Sequence, residues 1–513
     1  MEKVEDLAVM PQRLHEVYLP WQHQETERLA LTDADIGITY GDLPDVVEAV
    51  ASYLREAGVR AGDRVLLVSE NAVALAVAIL AVSWLDAWSV TVNARLSARE
   101  IDNFLDHSGA RIALYFHRAS KEAEVHGVAR GAQPLQLPVI GEVLLGPLNT
   151  EALAEPVEAD AARQVAAMVY TSGTTGAPKA VMLTHRNLLF IAANSRKLRH
   201  MTQADVVYGV LPLSHVYGLA SLLLCSLISG ATLRLVPRYT EAGLARAFAE
   251  EGITVSHGAP AMYAKLLDWS TNTCTPLRAP TLRVVQSGGA PLTPSLKQRF
   301  EACFGLPLQN GYGMTEASPS ICQTRMESPR ADCAVGPAIP GVSLRLDGAD
   351  HDTDGIGELL VRGPNVMLGY YRAPELTAQT ITADGWLRTG DLARIDADGA
   401  VVIVGRSKEL IIRSGFNVYP VEVEQALNGY PGVVHSAVVG RTVADNEEVV
   451  AFIEIAQEVQ IDLAALDGYL RQMLSPYKMP SELIVLERLP VAPTGKILKN
   501  ELRNAASRRS DTA

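Results

Sequence analysis

Up to about residue 400 the chain alternates short apolar runs with amphipathic stretches. ITYGDLPDVVEAVASYLREAG (Ile38–Gly58) reads as a turn followed by a helix with apolar residues at three- and four-residue spacing. DRVLLVS (Asp63–Ser69) and SVTVN (Ser89–Asn93) read as buried strands on either side of an apolar helix, Ala72–Leu85. SAREIDNFLDHSG (Ser97–Gly109) reads as a capped helix. AAMVY (Ala166–Tyr170), AVML (Ala180–Leu183) and LRVVQ (Leu282–Gln286) are further strands. Thr184 is a candidate N-cap for the helix following HRN, and Thr293 caps another that starts with Pro294. Strands separated by helices imply an α/β fold of mostly parallel sheets covered by helices.

The texture changes near residue 400. Val401–Leu427 reads as a strand, a charged turn, a second strand, a Gly-Phe-Asn turn and a helix. Strands follow at Val433–Gly440 and Glu448–Ile455, then a helix over Leu463–Leu474. This is a small α+β domain, with the boundary placed at Gly405–Lys408 and a flexible tail over residues 506–513.

A length of 513 residues is too great for one hydrophobic core, so at least two domains are expected. Net charge −13 and pI near 5.4 argue against general attraction to nucleic acid or anionic membrane, so an anionic substrate would need local cations or a metal. The five cysteines show no CxxC pairing and fit a reduced, cytoplasmic setting. The N-terminal MEKVEDLAVMPQRLHEV lacks an apolar signal-like stretch, and Ala72–Leu85 and Gly218–Ser229 are shorter than the roughly 20 residues of a transmembrane span.

Between two of the strands lies TSGTTGAPK: Thr171, Ser172, Gly173, Thr174, Thr175, Gly176, then Lys179 at its end. Glycines let backbone N–H groups approach an anion, hydroxyls add donors, and the lysine adds charge. The spacing is not that of a Walker loop, GxxxxGK[ST]. A Ser/Thr/Gly-rich surface turn is the alternative. QNGYGMTEAS (Gln309–Ser318) offers an aromatic, Tyr312, a hydroxyl, Thr315, and a carboxylate, Glu316, suited to a purine, a phosphate and Mg²⁺ respectively; an ordinary loop would also account for it. WLRTGDLARID places Asp391 after a Thr-Gly turn, where it could accept two ribose hydroxyls or simply be solvated. PTGK places Lys496 on a rigid turn.

Together, and in this order, these motifs resemble the acyl-adenylate-forming superfamily, which includes acyl-CoA synthetases, firefly luciferase and peptide-synthetase adenylation domains. The likeness runs from TYGDL (Thr39–Leu43) to PTGK (Pro493–Lys496). The resemblance implies a two-step reaction: a carboxylate and ATP give acyl-adenylate and pyrophosphate, and CoA then displaces AMP. It assigns the Thr171–Lys179 loop to the β/γ-phosphates, and Gly288, Gly289 and Ala290 to the adenine and acyl group. Tyr312 stacks on adenine, Thr315 contacts the α-phosphate, Glu316 binds Mg²⁺, and Asp391 and Arg406 hold the ribose. Lys496 bridges the carboxylate and α-phosphate. It also implies an ATP- and acyl-binding domain over residues 1–405, a hinge at 406–408 around Lys408, a mobile lid over 409–505, and Gly415 in the CoA tunnel. A homodimer is left open.

The segment PLSHVYGLASLLL resembles the one that places His215 beside the acyl carboxylate. It lacks the aspartate that a buried substrate ammonium would need, which disfavours an α-amino acid. Tyr217, His257, Gly288, Gly313, Met314 and Ser318 are the expected pocket wall, with His257 equally readable as structural. No arginine is evident near these motifs, which disfavours dicarboxylic acids and leaves a fatty or aryl acid. Loading of a carrier protein, or a silent nucleotide-binding scaffold, are the rival readings.

Overall fold

The computed structural model describes residues 10–171, 179–349, 355–414, 416–443, 446–455, 461–491 and 497–510. Its two largest sheets each have eight strands. In the first, the strands Val165–Thr171, Trp88–Asn93, Arg64–Ser69 and Ile112–Tyr115 run parallel. Antiparallel strands extend it at both sides, Lys179–Thr184 among them. The second sheet has six parallel strands in the order Leu308–Gly313, Val284–Ser287, Val255–Gly258, Val206–Gly209, Thr232–Leu235 and Leu29–Thr32. An antiparallel strand closes each edge.

Two helices belong to the core that joins these sheets. Val73–Trp84 is apolar around its whole circumference, and all but its last residue are buried. A helix of that kind has no face suited to water, so it lies between layers. His185–Leu198 is also mostly buried, and begins at Thr184, whose hydroxyl accepts the Asn187 N–H. Side chains from both sheets and both helices form one continuous apolar cluster.

A four-stranded antiparallel sheet follows: Ser343–Asp347, Gly357–Arg362, Leu387–Ile395 and Val401–Arg406. The sequence suggests a turn at Thr389–Gly390, but both lie inside the strand Leu387–Ile395. Gly390 has φ +69° where the register with the neighbouring strand shifts, so the irregularity is a bulge.

From Ile411 onward the elements have apolar clusters of their own. Ile411–Arg413 and Phe416–Val418 pair as a hairpin, so Phe416 and Asn417 are strand residues rather than a turn. Val433–Val443, Asn446–Ile455 and Glu482–Leu486 form a three-stranded sheet with helices Pro420–Asn428, Leu463–Met473 and Lys499–Ser510. Within the tail expected from residue 506, the described part continues the helix Lys499–Ser510, and Leu502 and Ala506, one helical turn apart, are buried against Val439, Val450 and Phe452. That apolar pair is too short to stand out in a stretch rich in Arg and Ser.

Candidate active site

The parallel strands Val255–Gly258, Val284–Ser287 and Leu308–Gly313 are neighbours, with His257 opposite Gln286 and Ser287 opposite Asn310. Their carboxyl ends lead into Gly288–Ala290 and into Tyr312–Glu316. Such ends are where open α/β sheets bind ligands, because the loops leaving them diverge and leave a crevice. Gly288 is buried, whereas Gly289 and Ala290 are exposed.

The four-stranded sheet brings its own groups to this edge. Asp391 is directly across from Arg406 in the strand pairing, and its Oδ1 lies 3.0 Å from the Arg406 Nε. Its Oδ2 accepts a hydrogen bond from the Tyr312 hydroxyl. Burial, reinforced by the Asp391 carboxylate, holds the Tyr312 phenol well above its ordinary value, so it remains a donor. A carboxylate has about four lone-pair sites. Such a group can accept sugar hydroxyls, and Tyr312, half-buried, offers a ring for stacking.

A second chain of contacts links the Lys179 strand to Glu316. Thr171 and Lys179, which flank residues 172–178 in the chain, are paired across an antiparallel hairpin. The Lys179 Nζ sits 5.6 Å from the centre of the Tyr370 ring. The Tyr370 hydroxyl donates to Glu316 Oε1 at 2.8 Å. Burial and the Glu316 carboxylate both push the Tyr370 phenol upward, which keeps it protonated. The backbone repeats the link: Met367 N–H donates to the Glu316 carbonyl, and Leu368 N–H to that of Met182. Thr315, buried, opens the short 3₁₀ turn that carries Glu316. Ser172, Gly173, Thr174, Thr175, Gly176, Gly415 and Lys496 lie outside the described residues.

Glu316 has the chemistry of a cation ligand. One of its oxygens is held by Tyr370, and no group of three or more His, Cys, Asp or Glu side chains is gathered elsewhere among the described residues. A Mg²⁺ ion bound mainly by phosphates and water needs only one or two such carboxylates.

The expected acyl wall is partly borne together. His257, 3% exposed, lies with its Nδ1 3.3 Å from the Tyr217 hydroxyl, the two rings meeting edge to face. Burial, with the Arg199 charge in the same direction, lowers His257 to about 3, so it is a neutral imidazole. Tyr217 opens a π-helix, Tyr217–Leu224. A Cβ on Gly288 would meet its ring at 3.2 Å. His215 is exposed and its Nδ1 accepts the Tyr217 N–H at 3.3 Å.

Two members of the wall have other work. Ser318 is fully buried and its hydroxyl donates to the Asn365 carbonyl at 2.7 Å. Gly313 is required by a close approach, since a Cβ there would stand 2.0 Å from the Pro319 oxygen. The neighbouring Met314 N–H donates to that same oxygen at 2.9 Å and is half-buried. The sequence reading also missed two residues. Tyr370 sits in the ordinary-looking LGYYRAP, and Arg199 ends the helix before the His215 segment. Arg199 is 1% exposed and its charge is felt at Tyr217 and His257, so an arginine does stand near the acyl wall.

A family model of AMP-binding enzymes matches residues 20–371, and one for the AMP-binding enzyme C-terminal domain matches 422–496. The chain belongs to the AMP-binding enzyme family. It is 35% identical to a feruloyl-CoA synthase of Amycolatopsis sp over 92% of its length and 95% of the relative's. It is 32% identical to 4-coumarate–CoA ligase 5 of Oryza sativa subsp. japonica, covering 96% and 94% of the two chains. The ATP-bound crystal structure of MatB from Rhodopseudomonas palustris superposes with a TM-score of 0.81 at 30% identity, covering 97% of this chain and 99% of that one. Within the family the chain stands in the acid–CoA ligase branch, as an AMP-forming enzyme that uses ATP. No helix among the described residues is long and apolar enough to cross a membrane.

Proposed function

We propose that the protein condenses an aryl or arylpropenoic acid with ATP to an acyl-adenylate, releasing pyrophosphate, and then transfers the acyl group to CoA. The observation that carries this reading is the joining of Tyr312, Asp391 and Arg406 in one bonded cluster beside the Lys179–Tyr370–Glu316 chain. An adenosine cradle and a cation-and-lysine site for phosphates are thereby adjacent. The aromatic Tyr217–His257 wall supports a planar acyl group over an unbranched fatty chain, as do the feruloyl and coumarate relatives.

The substrate carboxylate is itself the nucleophile toward the α-phosphorus, so the protein positions two anions and offsets their repulsion. Lys179 neutralises the departing β/γ-phosphates. Asp391 and Arg406 fix the ribose, and Tyr312 the base. Glu316 would hold Mg²⁺, which when bound supplies charge to the phosphates. Lys496 would bridge the two reacting groups, and Gly415 would admit the pantetheine arm after movement about Lys408.

The test is ATP–pyrophosphate exchange against a panel of aryl, arylpropenoic, fatty and short-chain acids, followed by detection of CoA thioester. Exchange with arylpropenoic acids and thioester on adding CoA are expected. Adenylation that proceeds to product only with an acyl-carrier protein would replace CoA as the acceptor. Absence of acid-dependent exchange would overturn the reading in favour of a silent nucleotide-binding protein.

A further inference from the structure

Arg199 is a buried charge that adenylation, as described above, does not use. It follows the helix His185–Leu198 and is 1% exposed. Among the described residues its Nη1 reaches only the Leu198 carbonyl, at 3.4 Å, while Nε and Nη2 have no hydrogen-bond partner. Burial brings its guanidinium down to about 10, and it has no ion pair among the described residues. A buried guanidinium ordinarily has a carboxylate partner, because the cost of removing it from water is otherwise uncompensated. The nearby Glu327 instead pairs with His200 on the surface.

The surroundings of Arg199 show the same lack of partners among the described residues. Tyr217, Ser221 and Cys225 recur at four-residue spacing along one helical stretch and so share a face. The charge of Arg199 acts on both the first and the last of the three. Ser221, between them, is 2% exposed and its hydroxyl is unpartnered. Ser195, one turn before Arg199 on its own helix, is also 2% exposed and unpartnered. A cation with one long hydrogen bond and two hydroxyls with none among the described residues are therefore buried where the helix His185–Leu198 packs on the stretch that opens with Tyr217.

We propose that Arg199, with Ser195 and Ser221, forms the distal wall of the acyl pocket and receives a second anionic group, a carboxylate or sulfonate, carried by the acid at the end remote from its activated carboxyl. The proposal rests on the acid-activating function stated above and names its substrate class more narrowly. It reverses the sequence-based preference against dicarboxylic acids. In this arrangement the missing counter-ion is part of the substrate. An acid without it leaves the guanidinium unpaired, the kind of mismatch by which polar sites discriminate most strongly.

The test uses matched acids: cinnamate against 4-carboxycinnamate, and octanoate against octanedioate. Acid-dependent pyrophosphate exchange and thioester formation are measured for the wild type, Arg199→Met and Arg199→Lys. The wild type is expected to favour the dianion of a pair by about 100-fold in kcat/KM. Arg199→Met should shift that ratio toward the neutral-tailed acid by a similar factor, and Arg199→Lys should retain part of the preference. Without ligand, Arg199→Met should melt no lower than the wild type, because it removes an uncompensated charge. Equal loss on both members of each pair with a lowered melting temperature would mark a structural arginine and overturn the proposal. Exchange confined to the neutral-tailed acids, with a ratio unmoved by Arg199→Met, would also overturn it while leaving the ligase function intact. If no acid supports exchange, the ligase function fails instead. Calorimetric binding of 4-carboxycinnamate to wild type and Arg199→Met then decides the anion site, equal or absent binding being against it.

Discussion

Asp391 and Tyr370 show how single side chains hold this site in shape. Asp391 divides its two oxygens between a tyrosine from one sheet and an arginine from the strand beside it. Tyr370 stands between the Lys179 ammonium and the Glu316 carboxylate, using its ring for one and its hydroxyl for the other. Tyr370→Phe keeps the ring and removes only the donor. It should lower the adenylation rate about 10- to 100-fold, in line with the roughly 1.5–3 kcal/mol of one hydrogen bond to a charged group. Pyrophosphate exchange measured against Mg²⁺ concentration should show a raised Mg²⁺ requirement, and an unchanged profile would remove Tyr370 from the site. His257 gives a different kind of prediction. Folded, it titrates at about 3; unfolded, near 6.5. Between those values the unfolded chain binds a proton that the folded chain refuses, so acidification through this window destabilises the protein. From pH 6.5 to 5 the wild type should lose about 1.7 kcal/mol more than His257→Gln, the slope approaching about 1.4 kcal/mol per pH unit as the unfolded imidazole becomes fully protonated. Thermal melts of both proteins over that range would show it.

At the scale of elements, the site depends on three parallel strands ending side by side and on one tight turn beyond them. The turn after Leu308–Gly313 folds back so closely that the Pro319 carbonyl occupies the space of a Gly313 side chain. Gly313→Ala should therefore displace residues 313–319, which carry Thr315 and Glu316. A destabilisation of about 1–3 kcal/mol is expected, with a fall in kcat/KM for ATP, read from melting curves and exchange kinetics together. A variant matching the wild type in both would show that the turn can relax. The elements themselves were readable where their signals are local. Ser97 and Thr293 cap helices through hydroxyls that accept N–H groups three residues on, and the buried strands announce themselves as apolar runs. The bulge at Gly390 and the helical Ala506 were not readable. A bulge is defined by its partner strand, and one buried alanine has no signature apart from the surface it covers.

At the scale of the whole molecule, two sheets and a four-stranded sheet bring to one edge residues from positions 179, 316, 370 and 391. The C-terminal elements have separate apolar cores, and their last helix starts at Lys499, whose ammonium lies 3.0 Å from Glu409 and 2.8 Å from Glu424. This ties that helix to the segment just after Arg406. If Lys496 acts only in the first half-reaction, Lys496→Ala should lose adenylation by several kcal/mol in barrier, as for other positioned charges. Thioester formation from supplied acyl-adenylate should fall far less, and near-normal pyrophosphate release would refute the assignment. The amino-acid sequence by itself determined the α/β class and the helix caps at Ser97, Thr184 and Thr293, and it is what points to polyphosphate binding at Thr171–Lys179, since each depends on residues within a few positions of one another. Only the tertiary structure decided that Tyr370 supports Glu316, that Ser318 is sealed away, and that Arg199 is buried without a counter-ion among the described residues. Those facts concern which distant groups are removed from water together, and desolvation is a property of packing rather than of neighbours along the chain.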